Sequence, residues 1–232
     1  MKAAGAIWVI SGLCLVAVPS YPTLVVAIKT PEGYVIGTDS LRSSVNGSTR
    51  TICKIRIDHD VALLDWGYLG QSEDNTRGWI GLTAPFLSEP VGSARDRRER
   101  LLSQINSFEA FNSLVSQMQS MAVGAAFVGQ DGFYGFTAEL SDREHPQNGY
   151  HTDRFDNPPY RAFGTNDDKA MEFLQRGSGM LQTPLPQALE LAKKALDEGM
   201  REEPHSVHSP FTIVLVPNAK GKVQMLQAGA CK

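Results

Sequence analysis

Apolar residues recur along this chain with two periods. Four pairs of short apolar runs, each broken by turn residues, have the signature of β-hairpins. They are Thr23 to Ile28 with Tyr34 to Thr38, Cys53 to Ile57 with Val61 to Leu64, Ala122 to Val128 with Phe133 to Glu139, and Thr212 to Val216 with Val223 to Leu226. Between the second and third pairs, Leu101, Ile105, Phe108, Phe111, Val115, Met118 and Met121 return every three or four residues, the stripe of a long amphipathic helix. A shorter helix over Gln71 to Leu82 precedes it. Later, Thr165 is placed to cap a helix ending near Arg176 with Gly177 as its stop, and Thr183-Pro184 opens another, with Leu185, Leu189, Ala192, Leu196 and Met200 on one face.

The order is strands, two helices, strands, two helices, strands. Each helix has an apolar face to cover, so two sheets held between two helical layers satisfy the pattern, an α+β arrangement. With 232 residues, 42% hydrophobic and 20% charged, the chain suits one domain with a full core. A net charge of −3 offers nucleic acid no electrostatic footprint. The mixed-sign run Arg95-Asp-Arg-Arg-Glu-Arg100 reads as a solvated helix face.

Lys2, the apolar run Ala3 to Val18 and Pro19 have the layout of a secretory signal, which makes residues 1–22 a leader and 23–232 the folded domain. Export to the periplasm or the extracellular space is the expected outcome; a short propeptide on a cytoplasmic protein is the alternative. The apolar run falls short of the about 20 residues that cross a bilayer, so no stable membrane association is expected. Cys14 belongs to the leader, and the remaining pair, Cys53 and Cys231, permits one disulfide without requiring it.

The segment Thr23-Leu-Val-Val-Ala-Ile-Lys-Thr-Pro-Glu-Gly-Tyr-Val-Ile-Gly-Thr-Asp-Ser40 resembles the opening hairpin of the β-type proteasome subunits, N-terminal-nucleophile hydrolases, and the resemblance runs from Thr23 to about Leu226. It implies a four-layer αββα sandwich of two antiparallel sheets between helical layers. It also implies that Thr23 is the nucleophile once the residues before it are removed. Its own α-amine, with a pKa of about 7.7–8.0, then takes the hydroxyl proton. By the same resemblance Asp39, sixteen residues on, holds a catalytic Lys; Gly67 in Asp65-Trp-Gly-Tyr-Leu-Gly70 supplies an oxyanion N–H; and Thr165 in Phe163-Gly-Thr-Asn166 stands where the family has a Ser beside the nucleophile. The implied substrate is a peptide or other amide, with no metal or organic cofactor, and the implied assembly is a ring-like homo-oligomer.

Three features depart from that pattern. The family Lys lies fourteen residues before the oxyanion Gly, which here is Cys53; Lys54 is one residue off and, on a regular strand, points away. This spacing predicts that no Lys serves the site. In the late loop Glu203-Pro-His-Ser-Val-His-Ser-Pro210, only Ser206 stands in for a family residue; His205 and His208 lack a third metal ligand. Pro22 replaces the Gly that normally precedes the nucleophile. These departures support a second reading, a catalytically inactive proteasome-fold scaffold or binding protein. A third makes Cys53 a nucleophile or redox thiol.

Overall fold

A computed structural model describes residues 23–43, 49–67, 79–88, 92–105, 123–140, 150–164, 167–177, 183–202, 207 and 209–231. Twelve strands form in chain order: β1 (Leu24–Lys29), β2 (Gly33–Thr38), β3 (Leu41–Ser43), β4 (Thr49–Thr51), β5 (Ile55–Asp58), β6 (Val61–Gly67), β7 (Val123–Gly129), β8 (Gly132–Leu140), β9 (Tyr150–Asp156), β10 (Tyr160–Gly164), β11 (Thr212–Pro217) and β12 (Gln224–Gln227). Four helices accompany them among the described residues: α1 (Trp79–Leu87), α2 (Ala94–Ile105), α3 (Asp167–Gly177) and α4 (Leu185–Glu202). One antiparallel sheet has the order β10-β1-β2-β11-β12 and the other β5-β6-β7-β8-β9, with β3-β4 a separate ribbon.

Three apolar clusters show why the sequence settles into four layers. Leu24, Val26 and Ile28 of β1 pack with Leu174 of α3 and Ala192 and Leu196 of α4. Leu63 of β6 and Phe127 of β7 pack with Phe86 of α1 and Leu101 of α2. Between the sheets, Val25 and Ala27 meet Leu64, Trp66, Ala126 and Val128. Alternate residues of the central strands therefore enter different cores, and β1 and β7 read as continuous apolar runs because both of their faces are covered. The αββα sandwich is the expected fold.

Where helix meets sheet, contact is close. A Cβ on Gly199 of α4 would stand 2.3 Å from Leu24 Cδ2, so any side chain there would force the buried Leu24 to shift where the helix lies on the start of β1.

Three expectations change. The short helix is described over Trp79–Leu87 and runs past the expected end at Leu82, the expected start at Gln71 lying outside the described residues, and the long helical stripe is described only up to Ile105. The charged run is half buried: Arg97 donates to the carbonyls of Phe86 and Leu87, and Arg98 bonds Asp156, Glu99 and the Gly135 carbonyl, tying α2 to β8 and β9. Mixed signs in sequence conceal that two of these guanidiniums find partners beneath the helix. Strands β9 and β10, which the pattern missed, are edge strands with polar outer residues, such as His151, Asp153 and Arg161, and so lack an apolar run.

Candidate active site

Thr23 is the residue before β1, 1% exposed, and its Oγ1 has no hydrogen-bond partner among the described residues. Alternation along β1 sets it on the face of Val25 and Ala27, toward the other sheet. Buried hydroxyls are ordinarily satisfied, so an orphan one at a strand start is worth explaining.

The β1–β2 register pairs Val25 with Thr38 and so carries Asp39 back beside Leu24. The Asp39 N–H donates to the Leu24 carbonyl at 3.2 Å, and the Leu24 N–H donates to Asp39 Oδ1 at 2.8 Å. The hairpin thus folds a carboxylate against the backbone that follows Thr23. Asp39 is 1% exposed, and a buried carboxylate is tolerable only when paired.

Its partner is Lys54. Lys54 Nζ donates to both Asp39 oxygens at 2.8 Å, and the two side chains are 2% and 0% exposed. Burial pushes the Lys54 ammonium below the ordinary lysine value, and the charge and hydrogen bond of Asp39 pull it back up. The expectation that Lys54 points away from Asp39 is therefore corrected. It assumed a regular strand through residues 53–57, but β5 begins only at Ile55, and the β5–β6 register starts with Ile55 opposite Leu64. Arg56 obeys the alternation and reaches Asp65 and Thr83 on the α1 side. Lys54, two residues earlier, has left the strand and turned toward Asp39.

Cys53 is bonded to Cys231 across 178 residues, so it is not a free thiol nucleophile in this structure. The sequence left that pairing open; distance along the chain conceals that both cysteines lie at the same end of the β1–β2 sheet.

Gly164 completes the strand start. It pairs with Leu24, has φ +98°, and a Cβ there would fall 1.7 Å from the Thr23 carbonyl oxygen. Only glycine combines that backbone with that approach. Gly164→Ala is expected to lower stability by about 1–3 kcal/mol through backbone strain alone, and the clash with Thr23 adds to it; denaturant unfolding measures the loss.

Gly67 ends β6, paired with Val123, in the facing sheet. The neighbouring Trp66 ring stacks on Phe163 at 4.6 Å, which places Gly67 at the same end of the sandwich as Gly164. Since the β5 ladder stops at Leu64, that edge of β6 is clear of β5 beside residues 65–67. Thr165 follows Gly164 but lies outside the described residues, as do residues 203–206 and 208 of the late loop, with Ser206, His205 and His208. Among the described residues no group of three or more His, Cys, Asp or Glu is placed to hold a metal. Of the sequence-predicted set the structure thus brings Thr23 and Asp39 together, sets Gly67 at the same end, and adds Lys54 and Gly164. Gly164 was visible only as part of Phe163-Gly-Thr-Asn166, and Lys54 was visible only to a reading that let the strand start late.

No family model matches the sequence, and no curated protein matches it. Solved structures do. Anbu (ancestral beta-subunit) from Yersinia bercovieri superposes with a TM-score of 0.60 at 16% identity over 88% of this chain and 87% of that one. Anbu from Hyphomicrobium sp. strain MC1 gives 0.55 at 13% identity over 88% of each chain, and its Gly-1 mutant 0.56 at 15% over 89% and 88%. The expected likeness to a β-type proteasome subunit is corrected accordingly: the similar structures bear the name Anbu, and no proteasome β-type family model matches. At these identities what is shared is the fold, and the chain has the proteasome-like N-terminal-nucleophile architecture of the Anbu structures.

Proposed function

We propose that this protein is a threonine-type hydrolase that cleaves peptide or other amide bonds after the residues preceding Thr23 are removed. The observation that carries the reading is the buried Lys54–Asp39 pair, clamped to the Leu24 N–H directly after a Thr23 hydroxyl that has no hydrogen-bond partner among the described residues. An ion pair excluded from water costs desolvation energy and is weak evidence for stability, so its place beside an orphan hydroxyl is better explained by chemistry.

In the proposed reaction the freed Thr23 α-amine takes the Oγ1 proton as the oxygen attacks the substrate carbonyl. The tetrahedral oxyanion is held by a backbone N–H at Gly67. Collapse expels the amine product, which takes the proton from the α-ammonium, and leaves an ester on Thr23 Oγ1 that water hydrolyses. Asp39 anchors Lys54, whose ammonium favours the developing negative charge at this end of the sheet. Thr165 is proposed as a polar neighbour of the nucleophile.

The Cys53–Cys231 disulfide and the apolar leader support an exported protein, because disulfides persist in oxidising compartments. Among the described residues no helix is long and apolar enough to cross a membrane. Association into a homo-oligomer belongs to the same proposal. The competing reading, a noncatalytic scaffold, draws on Pro22, since cleavage after proline is disfavoured and any residue left before Thr23 blocks its amine.

Intact-mass measurement on the exported protein separates the two. The hydrolase reading expects Thr23 as the first residue, and a chain beginning at Tyr21 with no amidase activity supports the scaffold. With Thr23 first, kcat/KM should rise with pH through an acid limb near the α-amine value of about 7.7–8.0, because only the neutral amine accepts the hydroxyl proton. N-terminal acetylation should remove the limb together with the activity.

A further inference from the structure

Three consecutive residues leave the β5–β6 sheet and attach to the opposite one. The Ile52 N–H donates to the Ser40 carbonyl at 2.8 Å, Cys53 is bonded to Cys231, and Lys54 reaches Asp39. Continued, the β5–β6 register would set Lys54 opposite Asp65, on the α1 side with Arg56 and away from Asp39. Something must hold the chain off that register, since a ladder partner on β6 is forgone.

The tail that bears Cys231 is itself fastened to the β1–β2 sheet. Cys231 N–H closes a turn on the Ala228 carbonyl at 2.8 Å, and Thr212 Oγ1 donates to that same carbonyl at 2.9 Å. Gln227 donates to the Phe211 carbonyl at 2.9 Å, and Thr212 pairs with Thr38, the residue before Asp39. The disulfide therefore ties the backbone beside Lys54 to the strand neighbouring Asp39.

We propose that Cys53 and Cys231 are positioning residues: their disulfide compels a lysine one place out of strand register to turn between the sheets and pair with Asp39. This rests on the reading of Thr23, Asp39 and Lys54 as a hydrolytic site, and it makes the activity dependent on oxidation. Reduction by a dithiol breaks the Cys53–Cys231 bond as two electrons pass to the protein. Each Sγ takes a proton, and the reagent closes to a cyclic disulfide. Cys53 is exposed and Cys231 buried, so the reductant's thiolate attacks from the Cys53 side. Freed of it, residues 53 and 54 can rejoin β6, and Lys54 swings from Asp39 toward Asp65.

The test reads Lys54 itself. The exported protein is treated with N-hydroxysuccinimide acetate before and after dithiothreitol, and acetylation of Lys54 and of the exposed Lys29 is followed by peptide mass spectrometry. Alkylation confirms that both cysteines are reduced, and hydrogen exchange reports β7 and β8. The proposal expects Lys54 to be labelled at least 10-fold more slowly than Lys29 when oxidised. After reduction its rate should rise at least 10-fold, with β7 and β8 still protected and Lys29 unchanged. The Cys53→Ser/Cys231→Ser double variant should match the reduced protein, with kcat lowered at least 10-fold, KM nearly unchanged and a displaced acid limb. Continued protection of Lys54 after full reduction overturns the proposal. So does loss of protection throughout β7 and β8, because the bond would then be a general staple. Labelling that responds as expected in a protein without hydrolytic activity leaves the positioning role standing and removes the hydrolase reading.

Discussion

Thr23→Ala, made in a protein whose N-terminus is otherwise correctly exposed, abolishes amide hydrolysis, with kcat reduced at least about 10³-fold, while folding stability changes little. A covalent mechanism has no substitute for its nucleophile, and an amine next to alanine has no hydroxyl to activate. Stability is nearly indifferent because Thr23 Oγ1 has no hydrogen-bond partner among the described residues, so its removal strands no described donor or acceptor. Thr23→Ser should retain measurable activity, as it keeps the oxygen and the amine and loses only a methyl group. Progress curves on a peptide amide, together with urea unfolding of each variant, check both halves of this expectation.

The second large effect is at Lys54. Lys54→Met leaves the Asp39 carboxylate buried without its cation, and removing one partner of a buried pair costs about 3–5 kcal/mol. Activity should fall as well, so loss of function alone cannot separate folding from catalysis. The companion substitution does. Combining Lys54→Met with Asp39→Asn removes the stranded charge while keeping an oxygen to accept the Leu24 N–H, and should recover much of the lost stability. Hydrolysis should stay at the level of the single variant. If the double variant recovers hydrolysis along with stability, the ion pair is structural and the proposed role for Lys54 is wrong. Urea unfolding of the four proteins, read beside their kcat values, completes the cycle.

The layers of this fold were legible in the sequence because each central strand carries two apolar faces and each helix one. The runs Thr23 to Ile28 and Ala122 to Val128 marked strands that the structure covers on both sides, and the hairpin turns at 30–33 and 130–132 stand where the pattern placed them. The edge strands β9 and β10 were not legible, although β5 and β12, also at edges, were. Strand β9 reads Tyr-His-Thr-Asp-Arg-Phe-Asp, and of its described side chains Phe155 packs against the inter-sheet core while Arg154 and Asp156 are exposed.

The site was half legible for a related reason. Asp39 sits at the end of a regular hairpin, where counting residues fixes geometry. Lys54 sits just before a strand, where the ladder has ended and counting fails; its direction is set by contacts with Asp39, and beside it by a disulfide to a residue 178 positions away. Gly67 was singled out by the family resemblance, and its place at the Thr23 end follows from Trp66 stacking on Phe163, a contact between sheets that no local pattern encodes.

Capture of the acyl-enzyme tests the account most directly. The exported, processed protein is mixed with a peptide thioester, quenched in acid during the first turnovers, and its N-terminal peptide fragmented in a mass spectrometer. The account predicts an acyl group on the side-chain oxygen of a first-residue Thr23, absent from Thr23→Ala and from any chain that retains Tyr21-Pro22. Efficient hydrolysis by a protein that keeps those residues, or an acyl group carried elsewhere, would contradict it.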